Sequence, residues 1–351
     1  MRHRAAEALI LHLPLIFAGF LMSEHSSPDK LRVAVIGVGY LGRFHALIYS
    51  RMPEVELVGV FDTDAERAGT VAAEAGCAGV SSIDDLLDKV DAVSVVVPTS
   101  AHLEAAAPFL SRGIHVLLEK PIAATHDAGA EIVRLAQSSG ATLQIGHVER
   151  FNAGVMALAE RIRSPLYIEA QRMGGFVERA TDVDVVSDLM IHDIDIILSL
   201  VDAEISAISA VGASVLTEHV DIANARLEFA NGAVANVVAS RVSEKTTRRI
   251  RVFQPRTYLS LDFVSQTIDV AETRSVEGEA RPAIVRDRIQ VEPIKPLDRE
   301  IAEFVRGIRA GTRPLVDGRV GLKALDVALE VRACIAAAGE LQRESLLALS
   351  G

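Results

Sequence analysis

LRVAVIGVGYLGRFHALIYSRM, residues 31–52, is the stretch on which the fold turns. It opens with a short β-branched apolar run. Gly37, Gly39 and Gly42 follow as G-x-G-x-x-G, and the apolar residues beyond them recur at helical spacing. VELVGVFD, residues 55–62, is a second strand that ends on Asp62, twenty residues beyond Gly42. In such a strand–turn–helix the glycines let the backbone approach a pyrophosphate, whose charge sits at the helix N-terminus. Asp62 is placed to accept hydrogen bonds from an adenosine ribose and to repel a 2′-phosphate. The expected cofactor is therefore NAD rather than NADP, with Arg43 and Arg67 keeping the NADP option open.

The alternation continues outward from this unit. DAERAGTVAAEAG and SSIDDLLDKV read as helices, DAVSVVVP as a strand and AHLEAAAPFLSRG as a helix. IHVLLEKP is a strand, THDAGAEIVRLAQSSG a helix and ATLQIGH a further strand. Continuous apolar strands between helices mean a parallel sheet covered on both faces. From about residue 150 the style changes. FNAGVMALAERI reads as a helix, and SPLYIEAQRMGG begins an extended segment. DIANARLEFANGAVANVVASRV alternates at period two around Asn231-Gly232, a hairpin signal. TRRIRVFQPRTYLSLDF and SQTIDVAE add strands, and REIAEFVRGIRAG and VGLKALDVALEVRACIAAAG close the chain with helices. The expectation is an α/β Rossmann-type doubly wound domain over 31–148. An α+β domain with a largely antiparallel sheet follows over 149–351.

Residues 1–30 read as a leader. MRHR and the apolar run after it imitate a signal peptide, but His12 and Pro14 interrupt the run and no small-x-small cleavage site is clear. Met22 is the expected start; a cleaved signal or a membrane anchor is the alternative. A net charge of −11 over 351 residues argues against nucleic acid and anionic membrane surfaces as partners. Two cysteines without metal spacing point to a reducing compartment, hence the cytoplasm. The ten histidines are scattered, so no metal site is expected.

Two further stretches carry chemistry. In DLMIHDIDI, residues 188–196, helical spacing puts Asp188, His192 and Asp195 in one stripe. Apolar residues cover nearly all the rest, so the helix is buried, and its stripe of short titratable groups must be paired or line a cleft. EKP, residues 119–121, ends a strand at the carboxyl edge of the sheet, where ligands of such sheets bind. A lysine there can help a substrate hydroxyl lose its proton.

Together GVGYLGRFHA, Asp62, PTSAHLE, EKP, GHVERFN and D-x-x-x-H resemble the Gfo/Idh/MocA family of NAD(P)-dependent oxidoreductases, from about residue 31 to the last helices. The resemblance implies that Lys120 is the catalytic lysine and that Asp188 and His192 are the pair pointing into the interdomain cleft. It places Gly37, Gly39, Tyr40, Leu41 and Gly42 at the pyrophosphate, with Thr99, His102 and Glu119 at the ribose and nicotinamide ends. In the implied reaction, a sugar hydroxyl loses its proton while the carbon's hydride passes to the nicotinamide. Both His192 and Lys120 stand as candidates for the base.

Residues 172–196 with GHVERFN are similar to the branch of the family that oxidises UDP-N-acetylglucosamine to its 3-keto form, for an aminotransferase serving lipid A synthesis. In that reading Arg150, Arg172 and Arg179 meet the diphosphate or uracil. Arg249 and Arg251, on one strand face, are weaker candidates. The family also implies a homo-oligomer, dimer or tetramer, through the antiparallel sheet. The alternatives are an inositol or simple-sugar dehydrogenase, or a cofactor-binding sensor without turnover.

Overall fold

Strands with no polar alternation are buried on both faces, as residues 33–36, 92–95, 116–119 and 143–146 are. The structure, a computed structural model, describes residues 30–176, 183–275 and 282–350. The leader reading and Arg179 lie outside the described residues. The first unit runs β1 (Leu31–Ile36), α1 (Tyr40–Tyr49), β2 (Val55–Phe61), α2 (Ala65–Ala75), β3 (Ala78–Gly79) and β4 (Ala92–Val95). It continues through α3 (His102–Leu110), β5 (His115–Glu119), α4 (His126–Ser139) and β6 (Leu143–Gly146). The strands are all parallel, in the order β3-β2-β1-β4-β5-β6. The order reverses between β1 and β4, which opens a crevice at their carboxyl ends beside Gly37.

SSIDDLLDKV, expected as a full helix, makes one 3-10 turn, Ile83–Leu86, capped by the Ser82 hydroxyl. Leu86, Leu87 and Val90 all turn into the core there, and the chain must reach β4 at once, which leaves no length for more helix.

The second unit holds α5 (Ala153–Ala159), β7 (Tyr167–Met173), α6 (Ile191–Leu200), β8 (Ile205–Ala213), β9 (Ile222–Phe229) and β10 (Val234–Ser240). β11 (Thr247–Gln254), β12 (Thr257–Asp262), β13 (Thr267–Arg274) and β14 (Ala283–Gln290) follow, then α7 (Pro296–Ala310) and α8 (Gly318–Ser350). The sheet order is β14-β13-β12-β11-β7-β10-β9-β8, antiparallel except between β7 and β10. The β9–β10 hairpin turns at Asn231-Gly232, where Gly232 has φ 84° and the Asn231 carboxamide accepts from the Ala233 amide. Alternate residues of β7, β9, β10 and β11 pack inward on α6 and α8.

The expected boundary at 148 does not hold for the last helices. Ile301, Phe304 and Val305 of α7 pack with Val33, Val35 and Tyr49 of the first unit. Each such buried side chain contributes about 1.5–3 kcal/mol. α8 straddles both units, with Leu325 in the first core and Ala324, Ala328 and Val331 in the second. The chain thus returns to its first domain to finish it.

Candidate active site

The three glycines have three separate physical reasons. Gly37 has φ +84°, and a Cβ there would lie 2.4 Å from the Val96 carbonyl oxygen. A Cβ on Gly42 would lie 1.9 Å from the Gly37 carbonyl oxygen, so only glycine lets α1 leave the strand this closely. At Gly39 a Cβ would meet nothing within 4 Å. Gly39 is the N-cap of α1, and no side chain caps it. The open space in front of free helix amides is a cradle that a pyrophosphate fits. Leu41 is half-buried there, and Tyr40 is exposed with its ring edge-on to Phe44.

Asp62 ties this turn to the end of β2. Its carboxylate accepts from the amides of Val38 at 2.8 Å and Asp64 at 2.9 Å, and from Arg67 at 3.2 Å. Burial pushes the carboxyl up, but the two amides and Arg67 outweigh it and hold Asp62 below the usual carboxylate range. A fixed anion at this position disfavours a 2′-phosphate. Arg67 is already engaged by Asp62 and Asp64, and Arg43 by Glu74.

Around the far end of the crevice, Thr99 lines a cavity with Lys120. Glu119 is buried: its Oε2 accepts from the Lys120 amide at 3.2 Å, and its Oε1 lies 3.4 Å from His45 Nε2. Gly146 makes room for that carboxylate, since a Cβ would come within 2.7 Å of it. His102 departs from the expectation of cofactor contact. It is buried, with Nε2 at 3.0 Å from the Val97 carbonyl and Nδ1 at 3.3 Å from that of Ile122. Its ring joins the loops that follow β4 and β5, and so acts on the crevice only through them.

Lys120 crosses the cleft. Its ammonium donates to the Asp188 carbonyl at 2.7 Å and lies 3.4 Å from the Asp188 carboxylate. Asp188 sits in a π turn, Val186–Met190, that leads into α6. Asp184 starts that turn: it accepts from the amides of Val186 and Ser187 and from the Ser187 hydroxyl, and pairs with Arg332 at 3.1 Å. A turn one residue too wide is common at functional sites. Here it offers both Asp188 oxygen types to Lys120.

The cavity between these elements has a volume of about 360 Å³. Lys120 and Thr99 form one wall, Ser187, Asp188 and Ile191 another, and Ala328 and Leu329 of α8 an apolar third, with His219 and Arg332 also in its lining. The turn that carries His219 is held by Asp221, whose carboxylate accepts from three successive amides, Val215 to Thr217.

The stripe then runs inward from the cavity. His192 is half-buried, with Nδ1 buried and unpaired, so Nε2 is the nitrogen left open. Burial, then the charge of Lys120, then Arg172 drive its pKa well below the ordinary histidine value, so the ring is neutral. His147 stands edge-on to it at 6.4 Å between ring centroids. Asp195 is buried beyond, 3.3 Å from Arg150 and 4.0 Å from His147.

The expected substrate arginines divide. Arg150 reaches Asp195 from a part-buried position. Arg172, expected on a diphosphate, is 5% exposed and pairs with Asp193 at 3.0 Å and Glu149 at 2.8 Å. Its fork is spent on two carboxylates inside the second core. Arg249 and Arg251 lie on the outer sheet face, paired with Asp262 and Glu169.

Sequence reasoning missed Arg248. It is exposed, opposite Arg172 in the β7–β11 register, and near enough to His192 and Asp193 for its charge to lower the pKa of both. Among the described residues its guanidinium has no hydrogen-bond or ion-pair partner. Strand parity alone would have flagged it, since Ile250 and Val252 mark its face as the inward one. No cluster of three or more His, Cys, Asp or Glu able to hold a metal occurs among the described residues.

With this geometry the comparisons agree. The model described as "Oxidoreductase family, NAD-binding Rossmann fold" matches residues 31–147, and "GFO/IDH/MocA C-terminal domain" matches 144–257. The chain is 38% identical over 308 residues to a UDP-N-acetylglucosamine 3-dehydrogenase of Acidithiobacillus ferrooxidans, covering 88% of this chain and 98% of that protein. A solved structure of that enzyme aligns with a TM-score of 0.83 at 38% identity, over 88% of this chain and 98% of the other. A scyllo-inositol 2-dehydrogenase (NAD(+)) of Bacillus subtilis is 30% identical over 235 residues, covering 61% of this chain and 68% of that one. Levoglucosan dehydrogenase in complex with NADH and levoglucosan shares the fold, with a TM-score of 0.76 at 19% identity over 88% and 98% of the two chains. The chain thus belongs to the GFO/IDH/MocA family and is an NAD(P)-dependent oxidoreductase acting on CH–OH groups.

Proposed function

We propose that this chain oxidises UDP-N-acetylglucosamine to its 3-keto form in the cytoplasm, and that an aminotransferase then consumes the product for amino-sugar and lipid A precursors. What carries the reading is 38% identity to a UDP-N-acetylglucosamine 3-dehydrogenase along 98% of that protein's length, against 30% along 68% of one inositol dehydrogenase and 25% along 94% of another.

The residues take the following parts. Gly37, Gly39, Tyr40, Leu41 and Gly42 hold the pyrophosphate, Asp62 the adenosine ribose, and Thr99 and Glu119 flank the nicotinamide end. Bound there, NAD supplies the hydride acceptor. His192 is neutral, as a base must be, and takes the hydroxyl proton at Nε2. Lys120 stabilises the developing alkoxide, and Asp188 holds Lys120 in place. Arg248, whose guanidinium has no partner among the described residues, meets the diphosphate, with Arg150 as a second donor. Arg172 holds α6 to β7 through Asp193. The outer sheet face carries Tyr167, Phe253 and Tyr258 with tilted rings 5.0–5.6 Å apart, and we assign it to pairing with a second copy.

The test is NADH absorbance with NAD and either UDP-N-acetylglucosamine or inositol, an aminotransferase removing the keto product. A rise with the sugar nucleotide alone supports the reading. A rise with inositol alone, or with neither substrate despite NADH binding, overturns it.

A further inference from the structure

Nine buried side-chain polar atoms among the described residues lack a hydrogen-bond partner, and seven belong to His45, His147, His192, Asp195 and Glu300. Each such atom costs about 1–3 kcal/mol if nothing bridges it. Their concentration in one place therefore calls for a reason, and bridging water is the ordinary one.

The five residues come from four places in the chain: His45 from α1, His147 from the end of β6, His192 and Asp195 from α6, and Glu300 from α7. Glu300 comes from α7 and is 0% exposed, with neither carboxyl oxygen paired. The charges of Glu119 from β5 and Asp195 from α6 are felt at Glu300, and that of Glu300 at Tyr49 from α1. Burial, then Glu119 and Asp195, push the Glu300 carboxyl well above the usual range, so it is held neutral. From Glu119 the polar contacts run on to His45 at 3.4 Å, from His45 to Ser94 at 3.1 Å, and from Ser94 to Tyr49 at 2.9 Å. Toward the cleft, His147 lies 4.0 Å from Asp195 and edge-on to His192. Burial, more than any neighbour, keeps His147 neutral as well.

We propose that His147, Asp195 and Glu300 form a buried, water-bridged relay that receives the substrate's hydroxyl proton from His192. This rests on His192 being the base. When the alcohol is oxidised, the C–H bond gives its electron pair and hydrogen to NAD as hydride, and the O–H electron pair closes the carbonyl. The freed proton goes to His192 Nε2, the Nδ1 proton passes on through His147, and Asp195 accepts it. Glu300 keeps its own proton and donates a hydrogen bond, and the transferred proton rests on Asp195. Glu300 is thus a positioning residue, acting through the Asp195 and Glu119 carboxylates.

Glu300→Gln keeps the shape and a hydrogen-bond donor but replaces the acid by a neutral amide, altering the field and hydrogen bonding at Asp195 and Glu119. NADH binding and the circular dichroism spectrum should be unchanged. kcat should fall by about tenfold, with a larger solvent deuterium isotope effect and a displaced low-pH limb. His147→Asn cuts the relay in its middle and should show the same isotope and pH signature, which keeps the test decisive if Glu300→Gln fails to fold. An unchanged pH profile and isotope effect in a folded variant overturns the relay.

A second readout needs no turnover. The infrared difference between wild type and Glu300→Gln at mildly alkaline pH should contain a protonated-carboxyl band from the wild type. Its absence overturns the relay whatever the substrate. Absence of turnover with the band present overturns the substrate reading alone.

Discussion

The Lys120 ammonium is bound to the same residue twice, at 2.7 Å from the Asp188 carbonyl and 3.4 Å from its carboxylate, across the seam between the two units. A charged donor shared between a backbone and a side-chain acceptor is aimed more firmly than one held by a carboxylate alone, because the carbonyl is fixed by the π turn. Asp188→Asn should therefore leave Lys120 in place and cost less than Lys120→Met. The expected loss in kcat is about 10²–10⁴-fold for Lys120→Met, with NADH affinity kept. Steady-state rates and NADH fluorescence titration measure the two quantities. Parallel loss of NADH binding would make Lys120 part of the cofactor site rather than of the chemistry.

Gly39 and Gly42 separate binding from folding. Gly39 has φ −61° and open space around the missing Cβ, so Gly39→Ala should fold with stability within about 0.5 kcal/mol of wild type. Its methyl group would project into the pyrophosphate cradle, and NADH affinity should fall by at least tenfold. Gly42→Ala drives a Cβ against the Gly37 carbonyl and should destabilise the fold itself. Urea unfolding beside NADH titration distinguishes them. Equal NADH binding in Gly39→Ala would remove the pyrophosphate from this turn.

The parts of the molecule legible in the sequence are those set by local pattern. G-x-G-x-x-G between two apolar strands marks a tight strand–helix turn, and Gly37 and Gly42 make the close backbone approaches such a turn requires. The stripe Asp188, His192 and Asp195 was legible because helical spacing survives a π turn at its start. Long-range pairing was not legible. That Asp193, four residues before Ile197 on an apolar helix, captures Arg172 depends on β7 lying beside α6, which no local period encodes. Arg248 was passed over for its neighbours Arg249 and Arg251, although the apolar Ile250 and Val252 mark its parity of β11 as the inward one. α7 was assigned to the second unit since chain order says nothing of a helix returning to the first core.

Arg172 and Arg248 should therefore respond oppositely to substitution. Arg172→Met leaves Asp193 buried without its cation, a loss of about 3–5 kcal/mol, and should appear as a lowered urea midpoint. Arg248→Gln should leave the midpoint unchanged. If Arg248 meets the diphosphate, losing a charged hydrogen bond of about 1.5–3 kcal/mol raises KM by about 10–100-fold with little change in kcat. A KM effect at Arg172 with full stability, and none at Arg248, would restore the assignment expected from the sequence.

The proton affinity of His192 is the last test of the site's electrostatics. Burial is the larger cause of its lowered pKa and the Lys120 charge the next, so removing that charge must raise it. In Lys120→Met the imidazole should titrate at higher pH than in wild type, followed by nitrogen-15 NMR of labelled histidine. The sign for stability follows from linkage: the folded value lies below the unfolded value of about 6.5, so the unfolded chain binds the proton more readily. His192 thus contributes stability that is whole above about pH 6.5 and declines as pH falls below it, and the decline should be shallower in Lys120→Met. A downward or absent shift in the variant would mean that Lys120 does not set the charge state of His192, and the base would then have to be sought in Lys120 itself.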